Sequence, residues 1–388
     1  MVAAFVASLG WEAAAMVAFL VLLVALYGAV CCRALRPRPG TLEWIARYDR
    51  PALSLAGRWQ RLGRRDALAL PAACLVSLAA WGFAAWQSVR ALYPDGGLPA
   101  AAVWEMAVYY GLLPVLTVAA AYVLIRGLYG SSMAALLAAL TLGLDLTADP
   151  LVVLLVAVPA LLLVRYLTAP AEAPFGAVCL RLILAFAASA VGWRAVPGLA
   201  VVPAVLLLLL LAGAAGRFVE LGRGWLLKGL AAALLSLAVT TVLAWVPAGA
   251  AAGMPVPQLL VSGEFYAFAA RSIGTGLTNT FTASPAWLVT LLRDWPLLLC
   301  GLAAGIAAVG ALVRRRDFRG LMAALWLAAL LALWILGGVY AAPFGCMLCL
   351  GGVWGTLCSR GRPRLALFGG CVLLALLLGQ YTASWIVW

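Results

Sequence analysis

The chain has 388 residues, 66% of them hydrophobic, a formal net charge of +13, nine Cys and no His. So apolar a composition excludes an ordinary soluble domain, and the lack of His removes imidazole bases and every His-based metal or haem site. The basic excess does not point to nucleic acid, because Arg residues and Lys228 are dispersed over short segments between apolar runs, as in loops facing anionic lipid.

An apolar run of about 20 residues crosses a bilayer as a helix, since hydrocarbon offers no partners for the backbone. About twelve such runs can be read in order. The first, at 10–32, precedes any basic residue; it is expected to insert with its N-terminus outside and to remain uncleaved. A basic segment at 33–66 follows, with nine Arg and three acids. The second span, 67–88, leads to a short loop holding PDGG at 94–97 and then Trp104 and Glu105. Spans at 106–126, 131–147 and 150–165 come next, the middle one ending at Asp145 and Asp149. The span at 175–193 contains Arg181 and ends at Arg194. Spans at 196–213 and 226–246 flank the basic patch of Arg217, Arg223 and Lys228. The longest polar connection, 248–294, mixes aromatic residues with Ser, Thr and Asn, a composition that suits an interfacial helix followed by a polar turn. Four spans close the chain, at 295–313, 320–338, 340–357 and 365–386.

If every run crosses, the Arg clusters fall on one face, as the positive-inside rule requires. Only Arg90, Arg194, Arg271 and Arg293 fall on the other face, with Arg181 inside a span. The expected architecture is therefore all-α and polytopic, with about twelve transmembrane helices and short outer loops. It divides into an N-terminal span plus basic segment (1–66), a membrane core (67–247), an outer loop (248–294) and a four-span C-terminal bundle (295–388).

Ionisable residues at the outer boundary are the candidates for chemistry. Asp145 and Asp149 lie four apart and would share a helix face unless Pro150 breaks the helix; they could activate a hydroxyl or hold a cation, or simply end a helix. Asp95 in its Pro-Gly context reads as a turn, and Glu105 as a base or a helix N-terminal acid. Arg271 and Arg293 could bind a lipid-linked phosphate, or pair with Glu264 and Asp294. Arg181 either snorkels or serves a site in the bundle. Cys346 and Cys349 have CxxC spacing but no second pair, so they read as small apolar residues. Gly301 with Gly305 and Gly351 with Gly355 are small-residue pairs for close helix packing.

ARYDRP at 46–51 followed by RRD at 64–66, the hairpin from Gly130 to Tyr166, FTASPAW at 281–287 and RDWP at 293–296 resemble, in that order, bacterial membrane glycosyltransferases similar to protein O-mannosyltransferases. These belong to the GT-C superfamily, and the resemblance covers about residues 42–364. It implies a GT-C-like bundle in a bacterial cytoplasmic membrane, with the Arg-rich loops cytoplasmic. The partners it implies are membrane lipids and a polyprenyl-phosphate sugar donor. Asp95 or Glu105 would then be the acceptor base, Asp145 and Asp149 would position the acceptor or a cation, and Arg271, Arg293 and Arg194 would bind the donor phosphate. No cofactor is expected, and a divalent cation is left open. The chain lacks the family's adjacent Asp-Glu pair and all of its His, and has GGVYAA at 337–342 where the family carries Arg and a Tyr-His-Tyr. A non-catalytic relative that binds lipid-linked sugar or a membrane partner is therefore the alternative, with a transporter as a third reading.

Overall fold

The computed structural model describes residue 59 and residues 62–93, 99–170, 173–216, 221–251, 253, 262–281, 287–315 and 317–386. Asp66–Leu92 forms α1, Ala100–Met106 α2, Leu113–Tyr129 α3, Ser132–Gly143 α4, Pro150–Leu167 α5 and Phe175–Ala195 α6. Val201–Gly216 forms α7, Arg223–Ala251 α8, Gly263–Phe281 α9, Trp287–Arg315 α10, Phe318–Gly337 α11, Ala342–Ser359 α12 and Pro363–Ile386 α13. A π-helical stretch, Ala107–Leu112, joins α2 to α3, and a 3₁₀ turn, Pro197–Ala200, precedes α7. The described residues contain no strand.

Ten of the described helical segments are long and apolar enough to cross a bilayer, so this is a multi-pass α-helical membrane protein. Two features separate that number from the twelve spans expected. The first expected span, 10–32, lies outside the described residues. The fourth is short: α4 has 12 residues, or roughly 18 Å at 1.5 Å per residue, against about 30 Å of hydrocarbon. Its ends are well defined. Gly130 adopts the left-handed conformation (φ 70°) that closes α3, and the Ser131 side chain accepts the Ala134 N–H to open α4. At the far end the Ser77 hydroxyl of α1 donates to the Gly143 carbonyl, one of the acceptors left over where a helix stops.

α12 is the central helix, packed by α10, α11, α4 and α3. Its glycines make that possible. A Cβ on Gly345 would lie 2.7 Å from the Leu327 Cα of α11, and one on Gly351 would lie 2.6 Å from Ile125 of α3. Gly355 abuts Tyr129, Gly301 abuts Cys346, and Gly305 abuts Leu327. Both small-residue pairs are thus spent on contacts inside the bundle.

One end of the bundle is held by Arg. Asp66, at the start of α1, accepts the Arg126 Nε–H of α3 (2.9 Å), the Tyr122 hydroxyl (2.6 Å) and the Gly63 N–H (2.6 Å). Arg319, at the start of α11, pairs with Asp317 (3.0 Å), donates to the Leu128 carbonyl (3.3 Å) and covers the Tyr129 ring. Arg165, at the end of α5, stacks over Trp59, and Arg181 donates to the Arg165 carbonyl (3.1 Å). Arg181 therefore reaches toward this end, where it also meets the negative pole of α5.

Candidate functional site

At the opposite end, two connections and one helix bring two acids and a tyrosine together. The first joins α4 to α5. The Asp145 Oδ1 accepts the Thr147 N–H (3.1 Å), an Asx turn that reverses the chain just past α4. Asp149 then caps α5, accepting the Leu151 N–H (2.8 Å) and the Val152 N–H (3.4 Å), with Pro150 in the first turn. Asp145 and Asp149 therefore do not share a helix face; the helix breaks between them.

The second contribution is Asp294, on α10 two residues before Pro296. The Thr147 hydroxyl is in hydrogen-bond contact with Asp145 Oδ1 (2.5 Å) and also with Asp294 Oδ2. Both carboxyl groups are buried, each about 3% exposed. The third is Tyr340, in the turn between α11 and α12. Gly338, left-handed at φ 67°, ends α11, and the Tyr340 ring packs 5.1 Å from Trp334. The Tyr340 hydroxyl faces Asp145 and Asp294 without a hydrogen bond of good geometry, and Asp145 Oδ2 is likewise buried without a partner. Burial pushes the Asp145 carboxyl well above the usual carboxylate range, and the neighbouring Asp294 carboxylate adds to the effect. Burial first, and the two acids second, also raise the Tyr340 phenol.

A groove of about 620 Å³ on the surface of α2 and the π-helical stretch is lined by Trp104, Glu105, Val108, Tyr109 and Leu113. The π turn is placed by Pro114, which has no N–H for the Tyr110 carbonyl four residues back. It sets Tyr109 beside Asp149, and the Tyr110 ring 6.0 Å from that of Trp81. Trp81 in turn lines a narrow cavity with Pro114, Thr117, Asp145, Ala148 and Pro150. Adjoining side chains thus run from the groove to Asp145. Trp104 is 74% exposed at the groove mouth.

A separate cluster surrounds Arg194 at the end of α6. Its guanidinium lies 4.3 Å over the Trp245 ring of α8, and Trp245 meets Phe268 of α9 edge-on at 6.3 Å. The Arg194 Nε is buried without a hydrogen-bond partner, as is the Thr241 hydroxyl one turn before Trp245.

The sequence candidates are therefore distributed as follows. Asp145 sits in the acidic cluster, Asp149 beside it as a helix cap, and Glu105 on the open groove. Asp95 and the Arg293 side chain lie outside the described residues. Arg271 is exposed on α9, its Nε–H donating to the Ala267 carbonyl (3.3 Å). Glu264 is exposed in the first turn of that helix. Cys346 and Cys349 are buried in α12, and the Cys349 thiol donates to the Ala323 carbonyl (3.5 Å). Among the described residues no group of three or more Cys, Asp or Glu is arranged to hold a metal.

Sequence reasoning passed over Asp294, Thr147 and Tyr340 as site residues. Asp294 carried a usable signal: a carboxylate directly before a Pro-led apolar run is costly unless it serves a site. Thr147 and Tyr340 carried none, since only the fold brings them to the acids. No protein-family model, curated protein or solved structure matches the chain.

Proposed function

We propose that the protein is a membrane glycosyltransferase that moves a sugar from a polyprenyl-phosphate donor to an acceptor hydroxyl at the face opposite the Arg clusters, of the GT-C type its sequence resembles. The observation that carries this reading is the meeting of Asp145, Thr147, Asp294 and Tyr340 from two connections and one helix at that end, next to an apolar groove. The groove, with Trp104, Val108 and Leu113, suits a polyprenyl chain entering from the bilayer. A carboxylate of the pair takes the proton of the acceptor hydroxyl as its oxygen bonds to the anomeric carbon. The bond from that carbon to the phosphate oxygen breaks, and polyprenyl phosphate leaves. Arg194 is the described cation best prepared for that phosphate, because its buried Nε–H lacks an acceptor while Trp245 holds the guanidinium flat. Asp149 and Glu105 would position the acceptor from the groove side.

The test is transfer of labelled sugar from polyprenyl-phosphate donors by the purified protein. We expect Asp145→Asn and Asp294→Asn each to lower turnover by about 10²-fold or more, the range for loss of an acid–base group. Arg194→Ala is expected to act mainly through donor affinity. No transfer from any such donor, with donor still bound, would leave the non-catalytic reading in its place.

A further inference from the structure

The contacts around Thr147 impose a proton count. Its hydroxyl carries one hydrogen, yet the oxygen is in hydrogen-bond contact with a carboxyl oxygen on either side, Asp145 Oδ1 and Asp294 Oδ2. One hydrogen serves one of these contacts. The other is met by a hydrogen on the carboxyl side, since two oxygens with no hydrogen between them repel. Asp145 Oδ1 also accepts the Thr147 backbone N–H, so that oxygen is already a committed acceptor. The other oxygen of that carboxyl group favours a second placement of the same proton. Asp145 Oδ2 is buried with no donor, and an anionic oxygen left bare in a buried site is far costlier than a neutral one.

We propose that Asp145, Thr147 and Asp294 form a proton-carrying unit, in which the two carboxyl groups share one exchangeable proton at neutral pH and Thr147 links them. The titratable groups described around Asp145 are Asp294 from α10, Tyr340 from the α11–α12 turn, and Cys346 from α12 with Cys300 and Cys349 behind it. All of these are neutral or acidic, so their arrangement favours the proton. Two carboxylates bridged by one hydroxyl repel, so the site favours holding one proton, which belongs to the pair rather than to either residue. The Tyr340 hydroxyl, facing both acids, is the next group able to receive or supply that proton. Chemically, the unit can accept a proton from a bound hydroxyl and return one to a departing oxygen. It does not depend on the transferase reading, since a proton-linked transporter would need the same element.

Infrared spectroscopy of the purified full-length protein in detergent, at pH 7 in H₂O and D₂O, tests this. The expected result is a protonated carboxylic C=O band of about one group per chain that shifts in D₂O. It disappears in both Asp145→Asn and Asp294→Asn, persists in Thr147→Ser and in the exposed control Glu264→Gln, and changes its titration midpoint in Thr147→Val. Absence of the band in the wild-type protein at pH 7 overturns the proposal, without any need for the variants. So does a band that survives both Asn substitutions, or stoichiometric Mn²⁺ binding lost in Asp145→Asn, which would make the pair a metal site. Sugar transfer is not part of the readout, so failure of the transferase reading leaves this result standing or falling by itself.

Discussion

Asp145 shows how one side chain can serve both fold and chemistry. Its Oδ1 closes the turn after α4, and its Oδ2 is left without a partner in a buried site. Because its carboxyl titrates above the ordinary range, the folded protein keeps a proton that the unfolded chain releases. The sign follows from linkage: where the folded state binds more protons, stability falls as pH rises. Wild-type stability should therefore decline from about pH 4, the ordinary Asp value, up to the raised value of the pair. Asp145→Asn removes that slope, and thermal unfolding of the two proteins across pH checks the difference. Arg126 poses the opposite case. Its Nε–H bonds the Asp66 carboxylate at 2.9 Å, with the acid only 1% exposed. Arg126→Ala leaves Asp66 with its Tyr122 and Gly63 donors but without the charged one, and should cost about 1.5–3 kcal/mol, read from chemical or thermal denaturation.

At the scale of elements, apolar run length located the helices but did not reveal that α4 is only 12 residues long. The sequence reads on through Leu144 and Leu146 as though the helix continued to 147. What ends it is turn chemistry: the Asx turn at Asp145 and the cap of α5 at Asp149. A short, largely buried helix leaves its last connection inside the protein, where irregular backbone in a membrane bundle is tolerated. α12 makes a stricter demand on its neighbours. A methyl group on Gly345 meets the backbone of α11 at 2.7 Å, with no flexible side chain to move aside. Gly345→Ala should therefore destabilise the bundle by about 1–3 kcal/mol through overpacking. A weaker effect is expected for Gly351→Ala, where the neighbour is the mobile tip of Ile125; parallel melting curves compare the two.

For the whole molecule, contacts gather the Arg-bearing ends of α1, α3, α5 and α11 at one end and the acid cluster at the other. We infer from the positive-inside rule that the Arg end is cytoplasmic. Single cysteines placed at Arg64 and at Glu264, both exposed, should then react with a membrane-impermeant thiol reagent from opposite sides of sealed vesicles. Reaction of both from the same side would contradict the arrangement of spans between them.

The sequence by itself determined that the chain is helical, apolar and multi-pass, because hydrocarbon leaves the backbone no other way to satisfy its polar groups. It also marked Asp145 and Asp149 as candidate acids at a helix end, and Arg181 as a residue that either snorkels or pairs within the bundle. Only the tertiary structure decided which acids meet. Asp145 and Asp294 lie 149 positions apart, so no local spacing links them. Thr147 and Tyr340 become site residues only through the packing that sets the α4–α5 and α11–α12 turns against the start of the apolar part of α10. Run length and charge record how a segment meets the membrane; which segments meet one another depends on close packing between helices, to which hydropathy is blind.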